Sequence, residues 1–235
     1  MTSYEPKGFA GCFAYEQASG AAVALGANFI WQEKIDGERA VLRLSPSGCT
    51  WHGRAMQSKP ISLKSETSAV LDCEKVGDTF RAFDLLELKG EDISGQPLAA
   101  RLAKLATLNL PHEIAIVPHY SSPDAIKEPS EGVVAKDLRS TYHQPNDWLR
   151  FKREITEDVI LDSVDEDAQT VAVSRMVKGR KIPAGRIFGF GEVEIRQAAA
   201  SIGAWIEIKA MQLTAAGKYR HGRFVRFRFD KGQAC

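Results

Sequence analysis

Trp31-Gln32-Glu33-Lys34-Ile35-Asp36-Gly37-Glu38-Arg39-Ala40-Val41 is the stretch on which the fold turns. Apolar residues at both ends predict strands over 29–35 and 38–45, joined through a glycine turn. An Asp-Gly pair between two such segments is a strong hairpin signal. Lys34 at the strand end then admits two readings. It is a surface lysine ahead of a tight turn, or it is a partly buried, reactive amine. A free lysine titrates near ~10.4 and is a cation at neutral pH. Burial and neighbouring cations lower that value and expose a nucleophile. The rest of the chain has to decide between the two.

Working outward, residues 17–28 predict a short helix interrupted by glycines, and strands follow at 79–89, 114–120 and 131–137. Gln96-Pro97 reads as a helix start, with Leu98, Leu102 and Leu105 on its apolar face. In Glu131-Gly132-Val133-Val134-Ala135-Lys136, alternation places Glu131, Val133 and Ala135 on one face and Val134 and Lys136 on the other. Arg150-Phe151-Lys152 alternates as well and puts two cations on one face, which suits a phosphate chain. Near residue 153 the pattern changes to short strands at 157–164, 169–176, 186–194, 204–212 and 223–229. Five short strands in this span predict a small barrel. The expected class is α+β, with one domain over 1–153 and a second over 154–235.

The 235 residues, 44% of them apolar, are enough for a packed core without metals or disulfides. Cys12, Cys49, Cys73 and Cys235 form no Cys-x-x-Cys pair, which fits a reduced cytosolic protein better than a zinc site. No apolar run approaches a membrane span, and the N-terminus does not read as a signal peptide, so a cytoplasmic location is expected, with a phage or bacterial context open. The net charge of +1 hides an asymmetry: residues 1–151 carry 16 basic and 19 acidic side chains, residues 152–235 carry 15 and 11. One basic cluster is Arg175, Lys178, Arg180, Lys181 and Arg186; the other is Lys218, Arg220, Arg223, Arg226, Arg228 and Lys231. Such stripes suit a polyanion or a solvated face.

Taken together and in order, these segments resemble the covalent nucleotidyltransferase superfamily, most closely its ATP-dependent DNA ligases. The K-x-D-G motif is Lys34 to Gly37, with its trailing arginine at Arg39. Gly53-Arg54 matches the next element, and Leu71-Asp72-Cys73-Glu74 matches the D-G-E segment with cysteine at the glycine. Phe83-Asp84-Leu85 is the aromatic-bearing segment, and Glu131 to Lys136 is E-G-x-x-x-K. Trp148-Leu149-Arg150-Phe151-Lys152 stands for K-x-K with arginine first, and Arg228-Phe229-Asp230-Lys231 is R-x-D-K.

The resemblance implies an adenylation domain of antiparallel sheets and helices followed by an OB-fold barrel. It implies ATP as donor, with Mg²⁺ or Mn²⁺, and nicked duplex DNA as the partner of a monomer. Lys34 would be the nucleophile, with Asp36 and Lys152 beside it in catalysis. Phe83 would stack on adenine, and the backbone of Glu33 would meet the base edge. Arg39 and Arg54 would hold the ribose or the 5′-phosphate of the nick. Arg150, Lys152, Arg228 and Lys231 would take the nucleotide phosphates, Lys231 in the adenylation step alone, and Asp36, Glu74 and Glu131 the metal.

With only 33 residues before Lys34, the expectation is a minimal two-domain enzyme that grips DNA with these domains alone. Arg39, Arg54 and the segment containing Arg175, Lys178, Arg180 and Lys181 are the expected DNA contacts, the last as a loop of the OB-fold. An RNA ligase, a capping guanylyltransferase and a catalytically silent binding protein are the alternatives. The preferred strand end, the pathway (replication or repair) and the tolerance of RNA stay open at this point.

Overall fold

The computed structural model describes Tyr4, residues 11–143 and residues 148–232. The chain forms two compact units, Met1–Lys152 and Arg153–Cys235. Its class is α+β, dominated by sheet.

The first unit runs through β1 (Gly11–Ala14), α1 (Ala18–Leu25), β2 (Phe29–Glu33), β3 (Glu38–Leu44), β4 (Cys49–His52), β5 (Lys59–Ile61), β6 (Ala69–Val76) and β7 (Thr79–Leu88). It continues through β8 (Glu91–Asp92), α2 (Leu98–Leu105), β9 (Ile114–Ile116), β10 (His119–Tyr120), β11 (Gly132–Asp137) and β12 (Trp148–Lys152). One sheet has the order β1-β12-β11-β2-β10; the other has the order β5-β4-β3-β6-β7-β8, with β9 parallel to β7.

Strand alternation assigns each face. Ala40, Leu42 and Leu44 of β3 pack with Leu71, Phe80, Leu85 and the three leucines of α2. Their neighbour Val41 lies instead in a smaller cluster with Val70, Leu86 and Tyr142. In the other sheet Val133, Ala135, Trp31 and Phe151 pack against Ala18 of α1. Burying each of the valine, leucine and phenylalanine side chains among them contributes about 1.5–3 kcal/mol. A one-residue slip of β3 would therefore exchange Leu42 for a charged neighbour in the core, and the register is fixed by that cost.

The second unit holds β13 (Ile155–Asp165), β14 (Thr170–Val177), β15 (Arg180–Ile187), α3 (Glu192–Ala199), β16 (Trp205–Ala210), β17 (Gln212–Leu213), β18 (Tyr219–Arg220) and β19 (Arg223–Phe227). Its main sheet has the order β15-β14-β13-β16-β19. Val159, Leu161, Val173, Ile206 and Ile208 line the core beneath Ile195 and Ala198 of α3. Among the described residues the sheet is an open path and not a closed barrel. A single parallel bridge, Phe188 to Arg223, links its two ends.

Three sequence expectations are corrected. The strand expected at 186–194 is the end of β15 followed by the start of α3. Gly189, at φ +87°, breaks the strand, and acidic Glu192 and Glu194 suit a helix N-terminus. The β-branched Val193 and Ile195 mislead, because burial at Ile195 and Ala198 follows a helical spacing. The strand expected at 114–120 is two strands serving different sheets, β9 and β10, separated by Pro118. The basic loop expected around Arg175–Arg186 is the β14–β15 hairpin. Its two-residue turn, Lys178-Gly179, has positive φ at both positions (50° and 76°), the geometry of a tight I′ turn.

Candidate active site

Lys34 follows β2, and its backbone N–H donates to the carbonyl of Gly132 at 2.9 Å. This ties the nucleophile candidate to the first residue of β11. Glu131, one residue earlier, accepts a hydrogen bond from the Lys34 amine at Oε2. Its other oxygen, Oε1, pairs with Lys152 Nζ at 3.1 Å. One carboxylate thus holds two amines, and all three side chains are largely buried: 16% exposed for Lys34, 9% for Glu131 and 22% for Lys152. Glu131 does not share the face of Val133 and Ala135, as simple alternation predicts. Gly132 has φ +135°, and that conformation turns the chain between them.

Two glycines make this approach possible. A Cβ on Gly132 would overlap the carbonyl oxygen of Phe151 in β12. A Cβ on Gly37 would overlap the carbonyl oxygen of Lys75 in β6. Backbone contacts this close exclude every other residue type. The glycines of both motifs are therefore packing requirements of the site.

Glu33 turns its carboxylate to Ser130, accepting from the backbone N–H at 3.0 Å and from Oγ at 2.9 Å. It clamps the loop that ends in Glu131. Glu74 lies on β6 opposite Arg39 of β3. Burial pushes its carboxyl up to about 7, against the pull of the Arg39 and Lys34 cations and with the added repulsion of Glu131 and Asp72. Cys73, at the position of the expected glycine, points into the apolar core with Leu42 and Phe80. Burial raises its thiol well above the usual range, so it stays protonated. The cysteine therefore occupies the opposite face from Glu74.

A second layer surrounds Phe83. Arg39 forks onto Asp72, with Nε to Oδ1 at 2.6 Å, and its guanidinium lies 4.5 Å from the Phe83 ring centroid. Tyr142 donates to the same Asp72 at 2.8 Å. Lys136 Nζ stands 4.4 Å from the Phe83 ring and 3.9 Å from that of Trp148. Burial lowers the Lys136 amine to about 7, partly countered by Asp84. Asp84 itself is held by both branches of Arg101 at 2.8 Å, with neither side chain exposed. Asp36 is half-buried after Lys34, Arg150 is half-buried on β12, and Arg54 is exposed in the turn after β4.

In the second unit Arg228 Nη1 donates to Asp158 at 2.9 and 2.8 Å, and Lys231 Nζ meets the same carboxylate at 2.5 Å. Asp230 caps the other side of Arg228, whose hydrogen bonds hold its carboxyl near 2. On the hairpin, Lys178 and Arg180 are exposed, Arg175 is half-buried, and Lys181 pairs with Asp162 at 2.7 Å.

The sequence reading named Lys34, Glu131 and Lys152, and the structure brings these three together. It left Lys136, Asp72 and Trp148 without a role, although all three lie in quoted motifs. Asp158 carried no local signal at all.

No family model and no curated protein matches the sequence. Solved structures share its fold. A structure from work on Lig E DNA ligases, concerned with DNA binding with a minimal scaffold, matches at TM-score 0.64 and 21% identity, over 86% of this chain and 93% of its own. A mycobacterial DNA ligase D complexed with ATP and MES matches at 0.53 and 18%, over 94% and 95%. The ligase domain of M. tuberculosis LigD matches at 0.51 and 18%, over 97% and 98%. The chain has the fold seen in these DNA ligases.

Proposed function

We propose that this chain is an ATP-dependent DNA ligase that joins a 5′-phosphate to a 3′-hydroxyl at nicks in duplex DNA. The observation that carries the reading is the Lys34–Glu131–Lys152 arrangement on a ligase-like fold. In the first step the Lys34 amine attacks the α-phosphorus of ATP. An N–P bond forms, the bond to pyrophosphate breaks, and Glu131 is placed to receive the amine's proton. A 5′-phosphate oxygen then displaces Lys34 from the AMP phosphorus. Finally the 3′-hydroxyl attacks the activated 5′-phosphorus and AMP leaves. Phosphoryl transfer of this kind depends chiefly on positioning and charge neutralisation. Lys152 supplies a cation beside the nucleophile.

On this reading residues 1–153 are the adenylation domain and residues 154–235 an OB-fold domain. The strand order of the second unit, its helix between the third and fourth long strands and the Phe188–Arg223 bridge support the second assignment. The acids near Lys34 suit Mg²⁺. A cation would relieve the burial penalty on ionised Glu74. Among the described residues no three acidic, His or Cys side chains form a metal cage, so Glu74, Glu131 and Asp36 would share the ion with nucleotide phosphates and water. The ion would supply charge neutralisation at the phosphates.

The test is to incubate the protein with ATP and Mg²⁺, measure the intact mass, and follow sealing of a nicked duplex on a denaturing gel. An AMP adduct and sealed product, both absent in Lys34→Ala, are expected. Wild-type protein that forms no adduct would overturn the proposal.

A further inference from the structure

The outer face of the second sheet carries two neighbouring rungs of opposite character. In one, Asp158, Glu207 and Arg226 stand side by side on β13, β16 and β19. The carboxylates of Asp158 and Glu207 face each other there and are neutralised, Glu207 by Arg226 at 2.7 Å and both acids by Arg228 at 2.8 and 3.5 Å. In the next rung Thr156, Lys209 and Arg223 stand side by side on the same three strands, and all three are exposed. Here two cations face each other directly across antiparallel strands. Among the described residues neither Lys209 nor Arg223 has an ion-pair partner. Directly opposed Cβ atoms lie about 4.5–5.5 Å apart, and like charges at that spacing destabilise a sheet. Phe188, bridged to Arg223, is 56% exposed beside them.

Folding stability does not account for this rung, because the like charges that face each other in the adjacent rung are neutralised by Arg226 and Arg228, and those of Lys209 and Arg223 meet no counter-charge among the described residues. An anion does account for it. We infer that Thr156, Lys209 and Arg223 form a phosphate-binding rung for a DNA backbone, with Phe188 packing on the neighbouring sugar or base. The occupant follows from the chemistry. Two long cations and a hydroxyl match successive phosphates, and an exposed ring beside them matches the apolar part of a nucleotide. The rung is separate from the β14–β15 hairpin. It extends the proposed ligase reading by giving the second unit a further hold on its substrate, and it rests on that reading for the choice of DNA.

The experiment measures binding of full-length protein to a nicked duplex by fluorescence anisotropy across a salt series. Wild type is compared with Lys209→Gln/Arg223→Gln and with Phe188→Ser, and melting and AMP-adduct formation are recorded for each. The double variant is expected to bind about tenfold more weakly at moderate salt, with a salt slope smaller by about 2, because two phosphate contacts are lost. Its melting temperature should stay level or rise as the repulsion is removed. Its AMP adduct should form as in wild type. Phe188→Ser should weaken binding about threefold to tenfold without changing the slope, because a stacking contact releases no ions. An unchanged slope in the double variant would overturn the inference, as would a lowered melting temperature, which would reveal a structural role. Absence of the adduct in wild type with the binding results intact would sink the ligase reading and leave the rung standing as a nucleic-acid contact.

Discussion

Both units hold a carboxylate shared by two cations, and they differ in the exposure of one of those cations. In the first, Glu131 lies between Lys34 and Lys152, all largely buried and anchored to hydrogen-bonded strands. In the second, Asp158 lies between Arg228 and Lys231, with Lys231 39% exposed in the short turn of helix that follows β19. On the ligase reading the same arrangement does two kinds of work. Where water is excluded, the carboxylate fixes the position of an amine. Asp158 and Arg228, each 19% exposed, are about as buried as the lysines of the first unit, but the more exposed Lys231 exchanges readily with other anions, since exposed pairs are held weakly. A nucleophile needs the first property, and a cation that engages phosphates for one step needs the second.

The largest expected effect tests this contrast directly. Glu131→Gln should slow formation of the Lys34–AMP adduct by about 10²–10³-fold, the usual loss for one buried electrostatic group at a reacting centre. Asp158→Asn should change it by no more than about tenfold. Rapid-quench assays at saturating ATP give both numbers, and equal losses would break the comparison.

A fully buried pair sharpens it next. Asp84 and Arg101 have no exposure, and Arg101 also donates to the Ser140 carbonyl at 3.1 Å. Asp84→Ala should cost about 3–5 kcal/mol, because it leaves a buried cation without its carboxylate. Urea unfolding measures it; a loss below about 1 kcal/mol would mean that water reaches Arg101.

The last effect is confined to a pH window and concerns a buried amine that faces aromatic rings. Lys136 is lowered by burial from 10.5 to about 7 when folded. Asp84, Asp72, Arg39 and Arg101 are the charged groups that act on it. Between these two values the unfolded chain binds more protons than the folded one, so this residue makes stability rise as pH increases from 7 towards 10. Against Lys136→Met, wild type should gain in melting temperature over that range. Parallel curves would show that Lys136 is solvated.

Much of the first unit's site was legible in the sequence, because its residues sit in short motifs whose glycines announce close packing. Lys34 to Gly37 and Glu131-Gly132 could be read as a candidate nucleophile and its neighbour only through the resemblance that the whole ordered set of motifs carries. The face of Glu131 could not, since alternation fails at a glycine with positive φ. Asp158 and the Thr156–Lys209–Arg223 rung were invisible for another reason. Each depends on which residues of distant strands stand opposite, and that register is set by the whole core. The α3 helix was misread because Val193 and Ile195 favour strands locally, and packing beneath the sheet overrides them.

Gly37 and Gly132 also bear on how this protein could be altered. Anyone randomising it to change its substrate would find positions 37 and 132 barren, since even one added methyl group meets a carbonyl oxygen of the adjoining strand. Position 73 is different: a cysteine is already accommodated there, its side chain in the core. A mutant library is better directed at the exposed side chains of the second sheet, where the main chain leaves room for novelty.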